Sequence, residues 1–443
     1  MKNREFVKEK FVKRKAGLLL CLGLLLFTGC GEGQTTGGSG EGRNVRRESA
    51  AAENGRSGED DGKAQESTSV DNGGSGIDAG SVQESTTEAG SSTAVSQVKA
   101  DSDDNSITLV MVGDILLHTP VAESGKAKDG EYDFSAIFAP LKEEIQSADI
   151  AIVNQEVIIG GAELGVSGYP AFNAPYELGD ALVEAGFDVV CQGTNHALDK
   201  GKKGILNCLS YWREEHPEIA VLGIHDSEEA ASSVYIWEED GFRIAILNYT
   251  YGTNGIPLPE GMPYAVELLD KEKVAADLKE AEEKADFVVV CPHWGTEYRL
   301  EQTSEQESWA AFFAENGADL VIGTHPHVIE PVEWVEDTLV YYSLGNFVNW
   351  TSGTGEGVKN RMVGAMAQVT IARNDAGEVS ISEWAAEPVV CHVESGFGGV
   401  TVYPLSEYTE ELAAGNEIVK QDGEFSLESC KELAEQVLGI VVE

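Results

Sequence analysis

Asp319-Leu320-Val321-Ile322-Gly323-Thr324-His325-Pro326-His327 joins a short apolar run to two imidazoles. The run reads as a buried parallel strand. Its histidines fall just past the carboxyl end, where open α/β sheets collect their ligands. One stiffening proline apart, His325 and His327 can face one crevice and share a cation. Taken alone, the pattern also suits a surface loop with two histidines, so the rest of the chain has to decide.

Working outward, the same arrangement recurs: a helical stretch, a junction containing Asp, an apolar strand, then polar residues. Ala148-Asp149-Ile150-Ala151-Ile152-Val153 ends in Asn154-Gln155-Glu156, and Gly186-Phe187-Asp188-Val189-Val190-Cys191 leads to Gly193-Thr194-Asn195-His196. Ala285-Asp286-Phe287-Val288-Val289-Val290 runs into Pro292-His293-Trp294-Gly295, and the opening stretch is the fourth case. Ahead of them, a strand over Ser106–Val112 meets Gly113-Asp114, and a helix is expected over Phe134–Ser147. Further strands are expected at Ile219–Leu222, Arg243–Leu247, Thr338–Ser343 and Val363–Ile371, with a last helix near Ser426–Leu438. Continuous apolar strands alternating with helices of about a dozen residues define an α/β protein whose sheets are covered on both faces. Asp114, Glu156, Asn195, His196, His293, His325 and His327 all fall at strand ends. Imidazole nitrogen with carboxylate or amide oxygen suits a divalent cation such as Zn, Mn or Fe.

Residues 1–30 have a basic start, an apolar run from Ala16 to Phe27 that is short for a membrane span, and Leu26-Phe27-Thr28-Gly29-Cys30. This is a secretory signal, and its ending resembles a bacterial lipoprotein box. Acylation at Cys30 would then hold the protein at the extracytoplasmic face of the cell membrane. Residues 31–105, rich in Gly, Ser, Thr, Glu and Asp, lack the apolar surface to fold and are expected to form a disordered tether. The folded domain is expected over 106–443.

The formal charge is +5 on residues 1–30 and −9 on 31–105, which leaves −41 of the total −45 on 106–443. So acidic a domain should repel nucleic acid and anionic lipid. Of seven cysteines, five lie beyond residue 105, without Cys-x-x-Cys spacing. That argues against a structural zinc cluster and a full disulfide framework. His216, His225 and His392 read as structural. His118, four residues after Asp114, either turns back to the strand-end residues or serves its loop.

The ordered series Gly113-Asp114, Asn154-x-Glu156, Asn195-His196-Ala197-x-Asp199-x-Gly201, His293-Trp294-Gly295-x-Glu297, Gly323-x-His325-Pro326-His327 and Ser343-Leu344-Gly345-Asn346-Phe347 resembles the bacterial capsule-synthesis CapA family, the poly-γ-glutamate biosynthesis proteins. The likeness covers roughly residues 106–390. It implies a fold related to the calcineurin-like metallophosphatases: a layered α/β sandwich with mixed sheets. It also implies Asp114, Glu156, Asn195, His293, His325 and His327 as ligands to one or two ions, and His196 as general acid or as a group that binds transition-state charge. Glu297 and Arg361 either contact substrate or form salt bridges, and Asn346 either bonds at the site or forms a turn. Departures are that Ile115-Leu116 follows Asp114 where metallophosphatases have Asp-x-His, and that Asn154-Gln155-Glu156 stands where they carry a bridging aspartate.

Three functions follow from the resemblance. One is a metal-dependent hydrolase or transferase acting on poly-γ-glutamate or a related anionic envelope polymer. Another is a non-catalytic accessory of a membrane synthesis and export complex. The third is an extracytoplasmic metallophosphoesterase. Because polymer and protein are both anionic, a broad electrostatic binding surface is disfavoured and a small metal-centred site is favoured.

Overall fold

The structure is a computed structural model that describes residues 105–128, 130–350, 353–355 and 357–442. The expected signal, the lipid site at Cys30, and the tether up to residue 104 lie outside the described residues. The strands are β1 (Ser106–Ile115), β2 (Ile150–Asn154), β3 (Val189–Cys191), β4 (Ala220–Leu222), β5 (Tyr235–Glu239), β6 (Phe242–Thr250) and β7 (Phe287–His293). They continue with β8 (Leu320–Ile322), β9 (Val332–Val335), β10 (Thr338–Tyr341), β11 (Asn346–Val348), β12 (Val363–Arg373), β13 (Val379–Val393) and β14 (Val400–Pro404).

Two sheets result. The first has the order β14-β13-β12-β1-β2-β3-β4, with β11 also pairing β1, and the second runs β5-β6-β7-β8-β10-β9. Pairing is parallel from β1 through β4 and from β6 through β8 to β10, and antiparallel at β1–β12, β12–β13, β13–β14, β5–β6 and β9–β10. This is the layered α/β sandwich with mixed sheets.

Residue alternation explains why its strands are apolar without interruption. Along β7, Phe287, Val289 and Cys291 join the larger core, while Val288 and Val290 join a smaller core. That smaller core packs under Leu278 and Phe313 of the helices Lys271–Lys284 and Ser304–Glu315. Each fully buried valine or isoleucine contributes roughly 1.5–3 kcal/mol, so both faces select the same residue types. The sheets touch where Cys291 Sγ lies 3.7 Å from Met111 Sδ.

The recurring aspartate sets sheet register. Asp149 accepts the backbone N–H of Thr108 at 2.8 Å, Asp188 that of Ala151 at 3.0 Å, Asp286 that of Arg243 at 3.1 Å and Asp319 that of Val288 at 2.8 Å. Each carboxylate thus serves an amide at the start of the strand beside its own.

Three expectations need correction. The helix foreseen over Phe134–Ser147 is broken into Ser135–Phe138, a 3-10 turn at Ala139–Leu141 and Lys142–Ser147. Pro140 lies at the break and offers no N–H to a continuous helix. The strands β1 and β7 run further than their apolar cores and include Asp114 and His293. Around Asp114 the pairing with β2 shifts register, and a Cβ on Gly113 would lie 2.0 Å from the Gly345 carbonyl oxygen. Only glycine lets these two segments approach so closely. Among the described residues no helix is long and apolar enough to cross a membrane. The five described cysteines are buried free thiols.

Candidate metal centre

The carboxyl ends of both sheets converge. The first sheet brings oxygen donors: Asp114 from β1, Glu156 just after β2 and Asn195 after β3. The second brings nitrogen: His293 closes β7, and His325 and His327 follow β8. All six are buried.

Glu156 lies at the middle. Its Oε1 is 3.7 Å from His293 Nε2 and 3.9 Å from His196 Nε2, and its Oε2 is 3.7 Å from His327 Nδ1. Asp114 Oδ2 lies 3.2 Å from His327 Nδ1 and accepts the His325 backbone N–H at 3.2 Å, while Oδ1 accepts Asn154 Nδ2 at 2.8 Å. Two donor sets emerge, Glu156 with His293 and His325, and Asp114 with Glu156 and His327; in each set the ligand atoms lie within 4.8 Å of one another. Glu156 belongs to both.

These residues fit a divalent cation. Both Glu156 oxygens, Asn154 Oδ1 and His325 Nδ1 are buried without a hydrogen-bond partner. A carboxylate so placed is costly unless a cation compensates it. Oxygen and imidazole ligands a few ångströms apart are also what zinc, manganese or iron accept.

The ligands are held from behind. His293 Nδ1 lies 3.0 Å from Thr324 Oγ1, and Nε2 lies 3.0 Å from Asn195 Oδ1. Asn346 Oδ1 sits 3.1 Å from His327 Nδ1, and its Nδ2 donates to the His327 carbonyl at 2.9 Å. Such partners fix ring orientation and tautomer. His325 and His327 have φ of +102° and +60°, left-handed backbone that non-glycine residues adopt at a cost and that gathers at functional sites. The Tyr298 N–H holds the intervening Pro326 carbonyl at 2.7 Å.

Burial opposes charge on Glu156, yet His327, His293 and His196 outweigh it and hold the carboxyl well below its usual range. Burial and the neighbouring Glu156 raise Asp114. His327 also resists burial, and Glu156 and Asp114 lift it to about 9. His325 has no comparable partner, and burial with the adjacent His293 and His327 pushes it well below normal.

His196 is oriented by Asp199, whose Oδ2 lies 2.7 Å from Nδ1 and accepts the Phe172 N–H at 2.7 Å. An ionised carboxylate only accepts, so Nδ1 carries the proton and Nε2 faces Glu156. Against burial, the bond to Asp199 and the charge of Glu156 raise the His196 pKa.

The structure thus brings Asp114, Glu156, Asn195, His196, His293, His325, His327 and Asn346 together. Arg361 lies alongside, its guanidinium carbon 3.6 Å above the Tyr298 ring, while Glu297 is exposed on the same loop. His118 packs edge-on against Phe172 at 5.0 Å, as Phe172 does against His196 at 4.7 Å, so it belongs to the site's surroundings. Burial and the nearby His327 lower His118 to about 4. His216, His225 and His392 pair elsewhere, with Asp180, Glu267 and Tyr408. Thr324, Tyr251 and Tyr298 have no role that can be read from sequence. A hydroxyl or phenol in a loop carries no spacing signal, and only the fold places these three beside histidines.

Solved structures that align with the chain include the Haemophilus influenzae NAD nucleotidase, at 14% identity and TM-score 0.37 over 75% of this chain and 59% of that one. Another is a 5'-nucleotidase from Candida albicans, at 10% identity and TM-score 0.38 over 64% and 51%. By sequence the chain is 30% identical over 205 residues to the Bacillus subtilis (strain 168) "PGA biosynthesis protein CapA", covering 45% of this chain and 51% of that protein. It is 28% identical over 278 residues to the Bacillus anthracis "Capsule biosynthesis protein CapA", covering 58% and 64%. The match therefore spans about half to two thirds of these relatives' length. Residues 108–351, more than half of the chain, match the model of the family described as bacterial capsule synthesis protein PGA_cap, and with every candidate ligand inside that span the chain belongs to this family.

Proposed function

We propose that the protein is a metal-dependent hydrolase or transferase for an anionic cell-envelope polymer of the poly-γ-glutamate type. It is held at the extracytoplasmic membrane face by a lipid on Cys30 and works beside membrane synthesis and export proteins. Family membership supports the capsule role. The observation that carries the chemistry is Glu156, buried among three imidazoles with both carboxylate oxygens unpartnered and shared by two donor sets.

Asp114, Glu156 and His327 would hold one divalent transition ion, and Glu156, His293 and His325, with Asn195 alongside, a second. Such ions supply Lewis acidity and a more acidic water. The chain's own residues do the rest. Asn346 and Thr324 keep the imidazoles aimed. His196, its Nδ1 proton engaged by Asp199, presents Nε2 to protonate the leaving nitrogen or oxygen. Like-charge repulsion from the acidic domain argues for recognition within this site rather than across a face, and nucleic acid is disfavoured as a partner.

The test pairs elemental analysis with polymer chain length. The full chain should retain one or two transition ions and shorten γ-linked polyglutamate. His325→Ala/His327→Ala should lose ions and activity together, whereas His196→Ala should keep the ions and lose about 10²–10⁴-fold in rate. Ions retained without any shortening of polymer by the parent would replace the hydrolase with the accessory role. A parent that binds no ions would remove the metal centre.

A further inference from the structure

One loop at the convergence of the sheets supplies no ligand and yet touches three candidates. It follows β6, whose Thr250 pairs with His293 across the parallel ladder, and runs from Tyr251 to Ile256. The Tyr251 N–H donates to the His293 carbonyl at 3.0 Å, and the half-exposed Tyr251 ring lies 4.6 Å from that of His325. Asn254 Oδ1 accepts Asn195 Nδ2 at 3.4 Å, and the Tyr251 phenol engages the Asn195 side chain as well. His293 and His325 form one donor set with Glu156, and Asn195 joins them through its Oδ1, 3.0 Å from His293 Nε2. In the other set, Asn154 holds Asp114 and Asn346 holds His327.

The loop is braced for that task. Thr250 Oγ1 donates to the Gly252 carbonyl at 3.0 Å, Thr253 Oγ1 donates to the Ile256 carbonyl at 2.6 Å, and the Ile256 N–H returns to the Thr253 carbonyl at 2.9 Å. Asn254 sits among these bonds at φ +52°, a left-handed position that asparagine, aspartate and glycine take most readily. The two ends of an amide differ. With an acceptor on the loop taking its N–H2, Asn195 turns its oxygen, the end that a cation accepts, toward His293.

Resting on the metal-centre reading above, we infer that Tyr251 and Asn254 are positioning residues for one ion of the pair. They set the affinity of the Glu156, His293 and His325 set and leave that of Asp114, Glu156 and His327 alone. Asn254 fixes which end of Asn195 faces the donors. Tyr251 keeps in line the ring of His325, whose Nδ1 has no hydrogen-bond partner. Groups that stand one bond behind metal ligands typically carry about 10–100-fold in metal affinity.

The experiment titrates manganese into the metal-stripped full chain and reads two binding steps by calorimetry. His325→Ala identifies the step of its own set by abolishing it, and His327→Ala identifies the other. Asn254→Gly, which leaves the left-handed backbone unstrained and removes only the amide, should weaken the His325 step by about 10–100-fold and leave the His327 step as in wild type. Asn254→Asp, which keeps an acceptor there, should recover most of that loss. Tyr251→Ala should weaken the same step to a similar degree, and Tyr251→Phe, with the ring kept and the phenol oxygen gone, should fall between.

Wild-type affinity at both steps in Asn254→Gly and Tyr251→Ala, equal weakening of both steps, an Asn254→Asp protein as weak as Asn254→Gly, or a wild type with a single step would each overturn the assignment. The failures stay apart. A wild type that takes up no manganese removes the metal centre and the positioning role with it, whereas one that binds two ions regardless of the loop removes the role alone. A chain that follows the expected pattern but cuts no polymer keeps the role and removes the hydrolase.

Discussion

Two buried glutamates show how neighbours decide the state of a carboxyl. Glu156, ringed by imidazoles, is held ionised, whereas Glu330, three residues past His327, meets a single donor, Gln306 Nε2 at 2.6 Å, and leaves Oε1 unpartnered. Burial, only partly offset by Gln306 and the charge of Arg299, lifts Glu330 to about 8. Between its unfolded value of about 4.5 and about 8, the folded chain keeps a proton that the unfolded chain has released. Stability must therefore fall as pH rises through that window and level off above it. With chelator present, the midpoint advantage of Glu330→Gln over wild type should grow from pH 5 to pH 8.5, toward a difference on the order of 3 kcal/mol. Parallel pH curves would show that Glu330 is not protonated in the fold. The sequence hid this residue while exposing its neighbours. Asp114, His293 and His325 announce themselves as polar groups closing apolar strands, but Glu330 follows Val328-Ile329 with nothing to mark its burial, and Tyr298 resembles any loop aromatic.

At the scale of elements, the strand-opening aspartates that made the chain readable turn out to be register pins rather than chemistry. Asp188 Oδ2 meets the Ala151 N–H at 3.0 Å and so fixes where β3 starts relative to β2. Alanine there removes an acceptor for a backbone amide, and stability should drop by about 1–2 kcal/mol, while asparagine, which keeps an acceptor, should cost less than half of that. Chemical denaturation of both variants checks the order, and equal losses would assign the effect to charge instead. The same logic explains which elements were legible. Strands β7 and β8 sit between two cores, and β2 and β3 are buried along their whole length in the larger one, so all four must be hydrophobic. By contrast β11, three residues long, reads as part of a Gly345-Asn346 turn because only pairing with β1 makes it a strand. The edge strands β5 and β9, half-exposed, carry Glu238, Glu239 and Glu333, which cut their apolar runs short.

For the molecule as a whole, charge sets the terms on which an anionic polymer arrives. The −41 on residues 106–443 acts over a distance, while binding within the small site around the buried Glu156 acts at contact. Salt separates the two, since the screening length falls from about 30 Å at 0.01 M to about 8 Å at 0.15 M. Long-range repulsion between like-charged partners is removed first, and short contacts within a buried site are screened less. Affinity for a γ-linked glutamate pentamer should therefore rise about two- to fivefold as salt increases over that range, and a pentamer whose α-carboxylates are replaced by carboxamides should show no trend. Proteins that capture polyanions on a basic face behave in the opposite way, losing affinity steeply with salt. Titrations of both pentamers across the salt series decide it. A steep fall for the acid would mean that a broad cationic surface, not a small metal-centred site, brings the polymer in.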